Sequence, residues 1–374
     1  MPELYIGIMS GTSADAIDCV LVDLSQNNIR LVASHNQPIP ADLRTQIHDL
    51  AKNGSRELQR SMQLDVQLGR LFAASVLELL ETSAYRAKDI HAIGCHGQTV
   101  RHQPDGDYRT SMQLGDPNII AQTTGITTIS DFRRRDMAVG GQGAPLVPAF
   151  HSALFRHNRR NRVIINIGGI ANITVLPADH HRPVMGFDTG PGNVLMDQWI
   201  NKHQKCSMDK SGHWAASGKV IDDLLVRLLR DRYFQRPPPK STGTDYFNLP
   251  WLEKVLKRHD KRMLRKNVQA SLCELTARSI ADAIIHTAPA VDEVLVCGGG
   301  ARNVALMYRL QSILHPAIVQ STEDHGLSPD WVEAVAFAWL AKRTLKHQSG
   351  NLKEVTGASE TVILGGIYPG KKLR

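Results

Sequence analysis

A chain of 374 residues is too long for one hydrophobic core and points to two domains of ordinary size. Hydrophobic residues at 42% and charged residues at 21% exclude a disordered or fibrous chain, and aromatics at 5% leave the core to aliphatic and small side chains. Forty-four Lys and Arg against 36 Asp and Glu give +8 at neutral pH, a balance that suits an anionic partner such as a nucleotide, an acidic metabolite, a nucleic acid or a membrane surface.

Met1-Pro2-Glu3-Leu4 has no basic n-region, and Asp15 and Asp18 interrupt the first apolar stretch, so no secretory signal is expected. No run of about 18 uncharged apolar residues occurs, so no transmembrane helix is expected either. Cys19, Cys95, Cys206, Cys273 and Cys297 are scattered and never in Cys-x-x-Cys spacing. That supports neither a disulfide framework nor a structural zinc, and it fits a reducing cytoplasm.

In chain order, Leu4 to Met9 and Ile17 to Leu24 read as two strands of a hairpin turned at Ser10-Gly11-Thr12-Ser13. Apolar residues between 56 and 85 recur at helical spacing. Ile90 to Cys95 reads as a buried strand running into His96-Gly97-Gln98-Thr99. Residues 136–148 read as a loop, and a domain boundary within 131–150 follows. The hairpin plan then returns at Arg162 to Ile167, Gly168-Gly169 and Ile170 to Leu176, which suggests an internal duplication. Helices are expected at 219–233, 266–288 and 330–345, with a strand Glu293 to Val296. The alternation makes this an α/β protein. Arg236-Pro237-Pro238-Pro239-Lys240 reads as a stiff connector, and Arg133-Arg134-Arg135 and the basic stretch from Lys254 to Lys266 read as solvated faces.

Familiar phosphate motifs fail: Gly212 through Lys219 lacks Walker spacing, and Asn303 stands where a dinucleotide fingerprint needs its last Gly. Gly11-Thr12-Ser13 is a different phosphate device, because small residues let backbone N–H groups converge on an anion and two hydroxyls add donors. Asp15 and Asp18 follow closely and suit Mg²⁺, which keeps its water and uses few carboxylates. Gly168-Gly169 with Asn172 is a second such device, and two together would clamp a triphosphate. In Phe187-Asp188-Thr189-Gly190-Pro191-Gly192-Asn193, the Asp ends an apolar approach and is expected on a sharp turn, its carboxylate projecting into a cleft. Turn capping needs neither the apolar strand nor two glycines, so Asp188 is the candidate base. Gly298-Gly299-Gly300 after a strand permits close approach of a flat ligand such as adenine. Glu333, the only charge at the start of an alanine-rich helix, reads equally as packing or as a sugar-hydroxyl acceptor. His96 alone reads as a satisfied loop histidine.

In this order the segments resemble the actin, hexokinase and heat-shock ATPase superfold. More narrowly, Gly7-Ile8-Met9-Ser10-Gly11-Thr12-Ser13, His96-Gly97-Gln98-Thr99, Gly140-Gly141-Gln142-Gly143-Ala144-Pro145-Leu146, Asn166-Ile167-Gly168-Gly169-Ile170-Ala171-Asn172 and Phe187 to Asn193 resemble the anhydro-N-acetylmuramic acid kinase family. One departure is Ala16, where that family usually has Gly. The resemblance runs from residue 5 to about 368. It implies two duplicated actin/hexokinase-like (ribonuclease H-like) domains with a nucleotide cleft between them, taken as 1–135 and 136–374 with the C-terminal end returning to the first. It also implies a cytoplasmic homodimer of peptidoglycan recycling that uses ATP and Mg²⁺. Its substrate would be 1,6-anhydro-N-acetylmuramic acid, and its partners would include neither nucleic acid nor membrane.

By the same resemblance, Gly11, Thr12, Ser13, Ala14, Asp15, Ala16, Ile17 and Asp18 meet the β- and γ-phosphates. Gly168, Gly169 and Asn172 add the second phosphate grip, and Gly298, Gly299 and Gly300 meet adenosine. Asp188 is the base, Mg²⁺ is held through Asp15 or Asp18, and Glu333, His96, Gln98, Gly141 and Gln142 line the sugar pocket. The sugar's 6-oxygen is already bonded to the anomeric carbon, so the bridge must open before or during transfer. A carboxylate that activates water is enough if the γ-phosphoryl captures the departing oxygen, and an Asp at the ordinary pKa of about 3.9 would be ionised without tuning. Two other readings are a kinase of another hexose or amino sugar and a nucleotide-driven binding protein of the chaperone or actin class.

Overall fold

The computed structural model describes residues 2–25, 29–52, 54–257 and 263–371. Its strands are β1 (Leu4–Ser10), β2 (Ala16–Asp23), β3 (Arg30–Pro38), β4 (Ile90–Gln103), β5 (Thr110–Leu114), β6 (Thr128–Ser130), β7 (Arg162–Ile167), β8 (Ile170–Leu176), β9 (Met185–Pro191), β10 (Glu293–Cys297), β11 (Ile318–Ser321) and β12 (Gly366–Tyr368). The chain divides into two units, one of residues 1–154 with 331–374 and one of residues 155–330.

In the first unit the sheet order is β12-β6-β4-β1-β2-β3, with β5 paired to β4. β1, β2 and β3 are antiparallel, whereas β4 and β6 join parallel to β1 and to each other. Alternation sorts the side chains by face. Leu4, Ile6 and Ile8 of β1 share a core with Leu64, Leu68, Phe72, Val76 and Leu79 of the helix Glu57–Glu81. The opposite face receives the helix Val332–Leu345 at unusually short range. A Cβ on Gly7 would stand 1.8 Å from the Ala334 carbonyl oxygen, and one on Gly94 would stand 2.0 Å from that of Phe337. The expected alanine-rich helix is therefore a sheet cover whose closeness depends on side chains being absent beneath it.

The second unit has the order β11-β10-β7-β8-β9, again three antiparallel strands followed by two parallel ones. Val163, Ile165 and Ile167 of β7 and Ile173 and Val175 of β8 pack with Leu272, Leu275, Ile280 and Ile284 of the helix Arg265–Thr287. The same strand plan occurs twice, so this is a duplicated α/β protein.

Three boundaries differ from the sequence reading. The first unit runs to Leu154 rather than 135, because Asp136 is buried and its carboxylate accepts from Gly143 N–H (2.8 Å), the Asn351 amide (2.7 Å) and the Thr356 hydroxyl (2.7 Å). The helix expected at 219–233 is Asp222–Leu229, and β4 extends through His96 to Gln103 instead of ending in a loop. The basic stretch 254–266 lies partly outside the described residues, at 258–262. No described helix is long and apolar enough to cross a membrane.

Candidate active site

The first hairpin turns between β1 and β2 with Ala14 in the left-handed region (φ 52°) and its N–H donating to Gly11 O at 3.0 Å. Gly11 O takes a second donor, the Gln98 side-chain amide (3.1 Å), while the Gln98 carbonyl oxygen accepts from the Ser10 hydroxyl (2.6 Å). Gln98 is fully buried, so what it touches is the base of this turn. Thr12 and Ser13 stand exposed at its tip. Asp15 is exposed and paired with Arg44 (2.9 Å). Asp18 accepts from the Asn36 amide (2.7 Å).

The second hairpin is gripped from behind in a similar way. Gly168 O accepts from Asn193 N–H (2.8 Å), Gly169 O accepts from Gly192 N–H (2.8 Å) and Val194 N–H (3.2 Å), and the Asn193 side chain donates to Ile167 O (3.2 Å). Gly192 must be glycine for this contact, since a Cβ there would lie 2.4 Å from Gly168 O. The glycines after Asp188 thus dock the helix Val194–Gln204 onto the turn. Gly300 is packed on Ile167, and of the three consecutive glycines only Gly299 is exposed. A short 3-10 turn, Gly299–Arg302, separates them from the helix Val304–Leu314, which Asn303 caps by accepting from Leu306 N–H (3.1 Å).

Asp188 does not sit on a turn. It lies within β9, in register with Asn172 of β8, and β9 is the edge of its sheet. Its N–H donates to Lys240 O (3.1 Å), its carbonyl accepts from the Tyr233 hydroxyl (2.7 Å), and its Oδ2 accepts from Thr242 N–H (3.0 Å). Burial raises its pKa from 3.8 to about 6, against the lowering effect of the Thr242 N–H. The expectation of an untuned carboxylate is corrected accordingly.

In the first unit, His96 is buried on β4 and tilts against Phe337 at 4.7 Å between ring centroids. Its Nε2 accepts from the Arg133 guanidinium (3.1 Å from Nε, 2.8 Å from Nη2), and Arg133 also donates to Gly143 O (2.8 Å). Burial and the Arg133 charge push the His96 pKa well below its usual value, so the ring is neutral. Burial lowers the Arg133 pKa to about 10, and Glu333 opposes that by its charge. Only Arg134 and Arg135 of the arginine run are exposed. Arg133 instead ties His96 to the loop bearing Gly141 and Gln142, and Gln142 N–H donates to Thr356 O (2.8 Å). Sequence reasoning missed Arg133, Tyr233 and Thr242. A charge run carries no sign of which member turns inward, and a backbone N–H donor leaves no mark in the side-chain pattern.

The two units repeat one strand plan, each with a hairpin turned on small residues and gripped from behind, and the family the chain matches makes it a kinase, a phosphotransferase. The family model described as anhydro-N-acetylmuramic acid kinase matches residues 3–370, and the chain belongs to that family. Proteins of that description from Coxiella burnetii (50% identical, covering 99% of this chain and 98% of that protein), Pasteurella multocida (50%, 98% and 97%) and Photobacterium profundum (51%, 98% and 99%) resemble it along their whole lengths.

Proposed function

We propose that this protein takes ATP, water and 1,6-anhydro-N-acetylmuramic acid to N-acetylmuramic acid 6-phosphate and ADP, as a cytoplasmic homodimer in peptidoglycan recycling. The reading rests on family membership over the full chain together with one carboxylate held in a strand and tuned by burial.

The ionised Asp188 takes a proton from water as that water attacks the anomeric carbon. The C1–O6 bond breaks, and O6 leaves with the electron pair and forms a bond to the γ-phosphorus as ADP departs. No separate acid is needed for the leaving oxygen, in contrast to glycosidases, which use two carboxylates. Gly11 to Asp18 and Gly168, Gly169 and Asn172 hold phosphates through backbone N–H groups and hydroxyls, and Gly299, the exposed member of Gly298–Gly300, lies flat to adenosine. Mg²⁺ would neutralise charge on the β- and γ-phosphates, and Asp18, its carboxylate oriented by Asn36, fits as its protein ligand better than Asp15, which Arg44 occupies. Glu333, His96 and the loop of Gly141 and Gln142 receive the sugar, with Gln98 bracing the first hairpin from below.

In ¹⁸O-water the label is expected at the anomeric oxygen of the product, with the α-anomer formed first. Label in phosphate instead would mean simple ATP hydrolysis and would end this reading. Because the base must be ionised, kcat/KM should fall as pH drops through about 6 and level off above it. A profile flat to pH 4.5 would remove Asp188 from the role. Arg133→Lys keeps the charge but loses the forked contact to His96 and Gly143. It is expected to raise KM for the sugar by roughly tenfold, on the scale of one or two charge-assisted hydrogen bonds, with KM for ATP unchanged. Equal changes in both constants would contradict the assignment of this cluster to the sugar.

A further inference from the structure

The proline-rich tract, expected as a connector, belongs to a segment that serves three of the four polar positions of Asp188. Lys240 O accepts from its N–H, the Tyr233 hydroxyl donates to its carbonyl, and Thr242 N–H donates to its Oδ2. Had the segment merely extended the sheet, the returning N–H would donate to the Asp188 carbonyl, as in any antiparallel ladder. Here the Tyr233 hydroxyl takes that acceptor, and the N–H two residues after Lys240 goes to the carboxylate instead.

Resting on the reading of Asp188 as the base, we propose that Tyr233 and Thr242 are its positioning residues, fixing the carboxylate rotamer by Oδ2 so that Oδ1 is the oxygen presented to water. Oδ1 has no hydrogen bond among the described residues. Tyr233 is itself rigid: it is buried, with Phe247 at 5.5 Å and Phe234 at 6.0 Å between ring centroids. The charged groups around it are Asp231, whose Oδ1 accepts from the Tyr233 N–H (2.9 Å), Lys240, whose ammonium lies 4.9 Å from the Tyr233 ring centroid, and Arg236 at 5.9 Å. Holding one oxygen by an N–H restricts the side chain to the geometry of attack, which is where much of a positioned base's advantage lies. It also favours the ionised form, in the direction opposite to burial.

The test compares Thr242→Pro, which removes the N–H, Tyr233→Phe, which removes the hydroxyl, and Asp188→Asn, each with ATP and the anhydro sugar from pH 5 to 9 and each checked by thermal unfolding. Thr242→Pro is expected to move the acid limb of kcat/KM upward by about half to one pH unit, because the ionised form loses a donor. It should also lower kcat about tenfold or more, with KM for ATP within about twofold of wild type. Tyr233→Phe should lower kcat by about 3- to 10-fold, again without change in KM for ATP. Should Thr242→Pro fail to fold, Tyr233→Phe decides alone. Folded variants with the wild-type limb and kcat would overturn the positioning role while a dead Asp188→Asn left the base intact. A fully active Asp188→Asn would overturn both.

Discussion

Asp188→Asn is expected to lose roughly 10²–10⁴ in turnover, the scale of a positioned general base, while nucleotide affinity measured by calorimetry is unchanged. The same substitution should stabilise the protein, because the cause of the raised pKa is burial. The folded-state pKa, about 6, lies above the unfolded value, so the protonated side chain favours folding below pH 4 and that contribution is lost as pH rises through 6. Asn has no charge to bury. Its advantage over Asp should be absent at pH 4 and reach roughly 1–3 kcal/mol at pH 8, from two pKa units at about 1.4 kcal/mol each, discounted for partial exposure. Urea unfolding at the two pH values checks the sign. A variant that is both inactive and less stable at pH 8 would show that the carboxylate is needed for structure, and its loss of turnover would then say nothing about proton transfer.

Gly94→Ala is expected to destabilise the first unit by at least about 3 kcal/mol, a large share of ordinary domain stability. Its Cβ would lie 2.0 Å from Phe337 O and 2.7 Å from Phe337 C, and backbone atoms in a helix cannot turn aside as a side chain can. The helix must lift from the sheet, and Glu333 one turn earlier shifts with it. Gly54→Ala is the control, since its Cβ would meet only the flexible Arg60 at 3.5 Å. If chemical unfolding finds Gly94→Ala within 1 kcal/mol of wild type, the helix is not seated as closely as described.

Much of this was legible in the sequence. The two hairpins show as apolar runs broken by small residues, and the core helices as repeats of Leu, Val and Phe at three and four. Asp188 stood out in the sequence as a candidate, but its setting did not. Its neighbours Gly190, Pro191 and Gly192 read as a turn, yet Gly190 and Pro191 continue the strand in register with Ala171 and Ile170, Gly192 N–H donates to Gly169 O, and Asp188 is left inside a strand. Gln98 came as a sugar contact from the family resemblance, and in the fold it is buried with its amide on Gly11 O and its carbonyl on the Ser10 hydroxyl, partners 87 and 88 positions away that no local pattern shows. The segment from Tyr233 to Thr242 was silent because two of its three contacts to Asp188 are made by backbone atoms. The end of the first unit was misplaced because Asp136 finds Asn351 and Thr356 more than 200 positions away, a pairing that no local pattern encodes.

The route of the chain also bears on its synthesis. Residues 155–330 are contiguous, whereas the first sheet is covered on one face by the helix Val332–Leu345. As the polypeptide leaves the ribosome, its middle part can close as soon as it has emerged. The part made first must wait with one side of its sheet bare, and with Gly7 and Gly94 offering nothing to fill the gap. A nascent chain arrested before residue 331 should therefore bind chaperones through its earliest-made segment, and one released after Leu345 should not.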